Sequence, residues 1–163
     1  MIGKVIKYNL KNINTDLIIP ARYLINSDKN YLAQHCMEDL DRDFIKKVNE
    51  YNYSILAANS NFGCGSSREQ APLALKASGI KCIIAPSFAR IFFRNSINIG
   101  LQIVELSNID DIKMGDVLEI DLKLGIINNT TSLHHYTVKK QPVFLQEIIS
   151  DGGLVNFAKE RLI

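Results

Sequence analysis

Apolar residues gather into four short runs, at positions 3–8, 53–58, 81–85 and 101–106, bounded by polar or turn-forming residues. Runs of this length and composition predict strands. Between them, apolar positions recur at a helical period. The first long connection predicts helical pieces over 31–36 and 42–49. A further helix is expected over 68–78, stopped at Gly79, where a left-handed cap is common. Another is expected from Ser87, just after Pro86, toward Gly100. Strand, helix, strand, helix, strand implies a parallel sheet covered by helices.

Beyond Gly115 the pattern changes. Residues 116–122 alternate, a turn falls near Gly125, and 126–129 and 136–138 follow, which is antiparallel hairpin material. Two short helices are expected at the end, over 144–149 and, after Gly152-Gly153, over 154–162. No repeat, low-complexity tract or linker interrupts the pattern, so 1–163 reads as a single mixed α/β domain.

Composition narrows the function classes. The chain has 163 residues, 47% of them hydrophobic and 22% charged, as in an ordinary globular domain with a real core. Its net charge of +2, with lysines scattered along the chain, argues against nucleic acid. The N-terminus is a short alternating strand, and eighteen apolar residues never run together, so neither secretion nor membrane insertion is expected. Cys36, Cys64 and Cys82 are odd in number, widely spaced and lack C-x-x-C pairing. That usage fits a reducing cytoplasm. It also makes an iron–sulfur cluster on this chain alone unexpected, since clusters usually take several closely spaced thiolates.

The candidate chemistry lies in Asn61-Phe62-Gly63-Cys64-Gly65-Ser66-Ser67-Arg68-Glu69, between the second strand and the helix after it. Gly63 and Gly65 let the backbone turn tightly against a ligand. Two hydroxyls and a guanidinium are then expected at a helix start, where unpaired N–H groups and the helix dipole favour an anion. Arg68 suits a carboxylate gripped in two places. A serine-capped turn with a surface arginine is the bland alternative. A nucleotide P-loop is disfavoured further, because no Lys follows the glycines and the Walker spacing is absent.

Four segments, taken in order, resemble a known family: Asn14-Thr15-Asp16-Leu17-Ile18-Ile19-Pro20, Tyr23-Leu24, Asn61 to Gln70, and Ser87-Phe88-Ala89-Arg90-Ile91-Phe92-Phe93-Arg94-Asn95. Together they look like the small subunit of 3-isopropylmalate dehydratase, which is similar to the mobile C-terminal domain of aconitase. The resemblance covers most of the chain up to about residue 106. It implies a swivelling β/β/α three-layer domain docked on a large subunit that carries a 4Fe-4S cluster, this chain binding no cofactor or metal itself. The implied reaction is a hydro-lyase step of leucine biosynthesis, in which 2-isopropylmalate and 3-isopropylmalate interconvert through 2-isopropylmaleate. The assembly implied is a heterodimer or heterotetramer in the cytoplasm.

Carried onto this sequence, the resemblance makes Ser66 the base and Ser67 and Arg68 contacts to the substrate carboxylate. Tyr23, Leu24 and Ile25 would touch the variable group of the substrate, and Asn61, Gly63, Cys64 and Gly65 would shape the turn. Relatives acting on a tricarboxylate such as homoaconitate look to have arginine where this chain has Ile25, so an isopropyl group is favoured here. Citraconate and 2,3-dimethylmalate fit the same apolar reading, and a non-catalytic anion-binding regulatory module is the alternative from another class. Asn12 and Asn14 stand where many members have Asp, and Gln70 where others have His.

Several residues carry two readings. Arg90 and Arg94, four apart on one helix face, either support the site or meet the large subunit, or else are solvated arginines. Asp16 either positions the active-site turn or, the favoured reading, makes an Asx turn at the start of a strand at Leu17. Cys64 reads as a small packing residue more readily than as a reactive thiol. His35-Cys36 and His134-His135 lack the further ligands of a metal site. Residues 25–30, with little apolar content, are expected to order only against substrate or partner.

Overall fold

The computed structural model describes residues 1–161. Seven strands form one sheet in the order β4-β3-β2-β1-β5-β6-β7. They are β1 (Ile2–Tyr8), β2 (Tyr53–Ala58), β3 (Cys82–Ala85), β4 (Gln102–Glu105), β5 (Val117–Asp121), β6 (Ile126–Asn129) and β7 (His134–Thr137). The first four pair in parallel, and β1 then pairs antiparallel with β5, which leads into the β5-β6-β7 meander. Helices α1 (Thr15–Ile18), α2 (Lys29–Gln34) and α3 (Phe44–Tyr51) fill the first crossover, α4 (Gln70–Ala77) and α5 (Arg90–Asn98) the next two. Helices α6 (Val143–Ser150) and α7 (Leu154–Arg161) follow the meander.

Successive strand residues face opposite sides, and here both sides of the parallel half are apolar. Ile6, Leu56, Ala58, Ile83, Ala85 and Ile103 join Ala71 and Leu75 of α4 and Phe92 of α5 in one core. The alternate residues, Val5, Ile55, Ala57, Cys82, Ile84 and Val104, pack with Leu118, Ile120 and Ile127 in a second. The antiparallel half therefore curls over the back of the parallel half and supplies its missing apolar cover. The result is the three-layer β/β/α arrangement expected: sheet half, sheet half, helices. Lys7 helps hold the connection between them, its Nζ donating to the carbonyls of Ile109 and Ile112 at 2.8 and 2.7 Å.

Element boundaries depart from the periodicity where backbone is held by something outside its own segment. The helix expected over 42–49 runs over Phe44–Tyr51, because Asn52 provides the left-handed stop at φ 56°. The strand expected at Leu17 is the short helix α1, capped by Asn14, whose Oδ1 accepts the Leu17 N–H at 2.9 Å. The terminal helix covers Leu154–Arg161, and the expected Leu162 lies outside the described residues. Among the described residues no helix is long and apolar enough to cross a membrane.

Candidate active site

Strands β1, β2 and β3 all end at the same edge of the sheet, and the chain leaving each is stitched to its neighbours by main-chain hydrogen bonds. On one side of the middle segment, Asn12 N–H reaches Ser60 O (3.0 Å), Gly63 N–H reaches Ile13 O (2.8 Å) and Thr15 N–H reaches Cys64 O (2.8 Å). On the other, Phe62 N–H reaches Ser87 O (3.1 Å) and Ala89 N–H reaches Phe62 O (2.9 Å). Carboxyl ends of parallel strands are where open α/β sheets gather ligand groups.

This stitching explains two corrections. Helix α4 begins at Gln70, so Ser66, Ser67 and Arg68 stand in the turn before it and not in its first turn. Residues 12–15 have already claimed the backbone of 60–64, and the chain needs the remaining residues to turn away before it can coil. Helix α5 likewise begins at Arg90 and not at Ser87. Residues 87–89 remain extended against Phe62, and the Ser87 hydroxyl accepts the Asn61 N–H at 2.9 Å instead of capping its own helix.

The turn is close-packed. Gly63 sits at φ 75°, and a Cβ there would lie 2.1 Å from Cγ of Phe92. Gly65, at φ 94°, would place a Cβ 3.3 Å from Thr15 Oγ1. Such angles disfavour any residue with a Cβ. Asn61 is also left-handed, at φ 62°, and its Nδ2 donates to Asn12 Oδ1 at 2.8 Å. Asn12 and Asn14 thus hold the turn and cap α1 through their amide oxygens.

Beside the turn opens a cleft of about 230 Å³, lined by Thr15, Gly63, Gly65, Ser66, Arg68, Ala89, Arg90, Ile91 and Phe92. Ser66 and Ser67 are exposed. Arg68 is mostly covered, its side chain 15% exposed, with Nη1 donating to Asp16 Oδ1 at 2.6 Å and lying 3.4 Å from Ile19 O. Asp16 thus pairs with the guanidinium, while the local cap bond expected of it is made by Asn14. An arginine aligned by a carboxylate, a second arginine and a free hydroxyl make a surface suited to a small dianion.

Other sequence candidates stand apart. Arg94 lines a separate groove against α6 and α7, so four-residue spacing did not bring it into the cleft with Arg90. Tyr23 stacks on His35 with centroids 3.7 Å apart and donates to Glu38 at 2.8 Å. Neither Tyr23, Leu24 nor Ile25 lines the cleft, and Ile25 is 90% exposed. Residues 25–30 are all exposed, but Asn26 Oδ1 accepts the Asp28 N–H and Asp28 Oδ1 the Tyr31 N–H, so α2 begins at Lys29. Thr15 is the polar cleft residue that sequence reasoning gave no role; the only signal was a hydroxyl leading an apolar run.

The thiols do not fit a cluster. Burial pushes the Cys36 thiol far up among the helices and the Cys82 thiol up to about 12 between the sheet layers. Cys64 alone is partly exposed near the cleft. His35 Nδ1 meets Glu38 at 2.7 Å, and His135 Nδ1 meets Asn128 at 2.8 Å. Among the described residues, no three His, Cys, Asp or Glu side chains gather into a metal-sized group.

Residues 3–109 match the family model of the aconitase C-terminal domain. The small subunit of 3-isopropylmalate dehydratase from Caldanaerobacter subterraneus subsp. tengcongensis is 56% identical over 99% of both chains. The small subunit of 3-isopropylmalate dehydratase from Clostridium beijerinckii is 52% identical over 98% of both. Among solved structures, 3-isopropylmalate dehydratase from Methanocaldococcus jannaschii superposes with a TM-score of 0.90 at 46% identity, covering 99% of this chain and 96% of that one.

Proposed function

As the chain belongs to the aconitase C-terminal domain family, and within it to the small subunits of 3-isopropylmalate dehydratase, we propose that it supplies the base and the carboxylate grip of that hydro-lyase. The reaction interconverts 2-isopropylmalate and 3-isopropylmalate through 2-isopropylmaleate, in leucine biosynthesis. The observation that carries the site assignment is the exposed Ser66 in a cleft that also holds Arg68 and Arg90.

Dehydration removes a proton from the carbon beside a carboxylate and hydroxide from its neighbour. Ser66 Oγ accepts the proton, and on rehydration delivers it to the carbon that lost hydroxide while water adds to the other, which completes the interconversion. An alcohol holds its proton far above neutral pH, so the surrounding N–H groups and cations must stabilise the alkoxide. Arg68, aligned by Asp16, and Ser67 take the carboxylate into which charge spreads as the proton leaves. A 4Fe-4S cluster, held by residues of a large subunit, would supply Lewis-acid chemistry for the departing hydroxyl. The donor set of this chain, with two thiols buried in separate cores, supports placing the cluster on that partner.

The remaining assignments rest on the same membership. The chain acts as one swivelling unit, with the three strand-end segments closing over the partner's metal site. Ile25 presents an aliphatic side chain and no donor, which supports isopropylmalate over a tricarboxylate. Three cysteines, none in a disulfide, support a cytoplasmic home.

The test is anaerobic co-purification with the large subunit, followed by ultraviolet detection of alkene formed from several 2-hydroxy acids. Alkene from isopropylmalate, and little from a tricarboxylate, is the expected result. Full activity of Ser66→Ala would instead favour a non-catalytic anion-binding module. Unchanged preference in Ile25→Arg would remove Ile25 from substrate selection.

A further inference from the structure

Thr15 is 1% exposed, so its hydroxyl must find its hydrogen bond inside the protein. It donates to the carbonyl of Ser66 at 3.1 Å. The amide of the same residue donates to the carbonyl of Cys64 at 2.8 Å. One residue therefore anchors two alternate peptides of the turn by their oxygens. Peptides are planar and here trans throughout the described chain, so the N–H of each unit points opposite to its C=O. Fixing the Cys64 and Ser66 carbonyls on Thr15 directs the Gly65 and Ser67 N–H groups away from it. Neither N–H has a partner among the described residues. They flank Ser66, the residue whose oxygen must bear negative charge.

We propose that Thr15 is a positioning residue for the reaction: its hydroxyl orients the Ser66–Ser67 peptide so that the Ser67 N–H faces the anion formed at the cleft. The inference rests on the assignment of Ser66 as base. Gly65 is part of the same device, because a Cβ there would press on Thr15 Oγ1 at 3.3 Å. Thr15 touches no reacting atom. Its contribution reaches the chemistry through a backbone dipole that needs no reorganisation as charge develops.

The experiment uses the complete complex with its large subunit, prepared anaerobically, and compares Thr15→Val, Thr15→Ser and Thr15→Ala. Val keeps the shape and removes the hydroxyl; Ser keeps the hydroxyl and removes a methyl. We expect Val to lower kcat by about 10- to 100-fold with KM changed less than about threefold, since the lost interaction strengthens as charge forms. Ser should recover most of the rate. Thermal melting and co-purification serve as controls. Should the Val variant not fold, Ser against Ala decides, because the two differ by the hydroxyl alone; equal kcat there, or kcat of Val within twofold of the parent, overturns the proposal. Failure of the parent complex to turn over isopropylmalate is a separate outcome that would remove the functional assignment itself.

Discussion

The two halves of the sheet use similar residues for different ends. The parallel half, β4-β3-β2-β1, is apolar on both faces and lies between helices and sheet, so its hydrogen-bonded strands are packed from both sides. The meander β5-β6-β7 is apolar on one face and leaves the other to solvent, with β7 partly or fully exposed throughout. Every cleft residue comes from the segments leaving β1, β2 and β3. The contrast separates chemistry from cover. One half positions the residues of the proposed site, and the other buries the back of the first.

Variants in the two halves should therefore fail in different ways. The largest effect is expected from Ser66→Ala, which should lower kcat of the complex by about 10³- to 10⁴-fold, with the melting temperature of the isolated chain unchanged. Gly63→Ala should follow. Its Cβ meets the Phe92 ring at a left-handed φ, so a loss of about 3 kcal/mol in denaturant titration is expected, together with lost activity. Arg68→Lys should reduce kcat/KM by about 10²-fold by replacing a planar fork with a point charge, leaving stability nearly untouched.

In the meander, Asp116→Ala removes the buried acceptor of Asn129 Nδ2 (2.6 Å) and Lys113 N–H (2.8 Å). It should cost about 2 kcal/mol of stability while kcat of the surviving complex stays within twofold. A fall in kcat comparable to that of Arg68→Lys would break the division between halves. The smallest effect is a labelling difference. A thiol alkylating reagent at neutral pH should modify Cys64 while sparing Cys36 and Cys82, as read by mass spectrometry, because burial raises both of their thiols.

Most of the architecture was legible because burial in this fold follows simple periods. The apolar runs gave β1 to β4, the alternation beyond Gly115 gave the meander, and the glycines around Cys64 marked the turn. Three of the features that escaped depend on a neighbour distant in sequence. Pro86-Ser87 carries a good helix-start signal, yet Ser87 is held by Asn61 and the helix waits until Arg90. Arg68 lies in a segment with helical spacing, but pairing of 60–64 with residues 12–15 keeps it outside the coil. Thr15 looks like the polar lead of an apolar run until the Ser66 carbonyl is seen above its hydroxyl. Local pattern records which residues will be buried; it does not record which backbone group will already be taken.

Because main-chain atoms do most of the stitching around the turn, the side chains of 13 and 62 are constrained chiefly by size and backbone angle. Ile25 sits outside that frame altogether, on a loop whose hydrogen bonds are its own. Substitutions in the loop can therefore leave the backbone frame around the proposed site untouched. On the role proposed for Ile25, exchange of that loop alone would retarget the scaffold toward other acids.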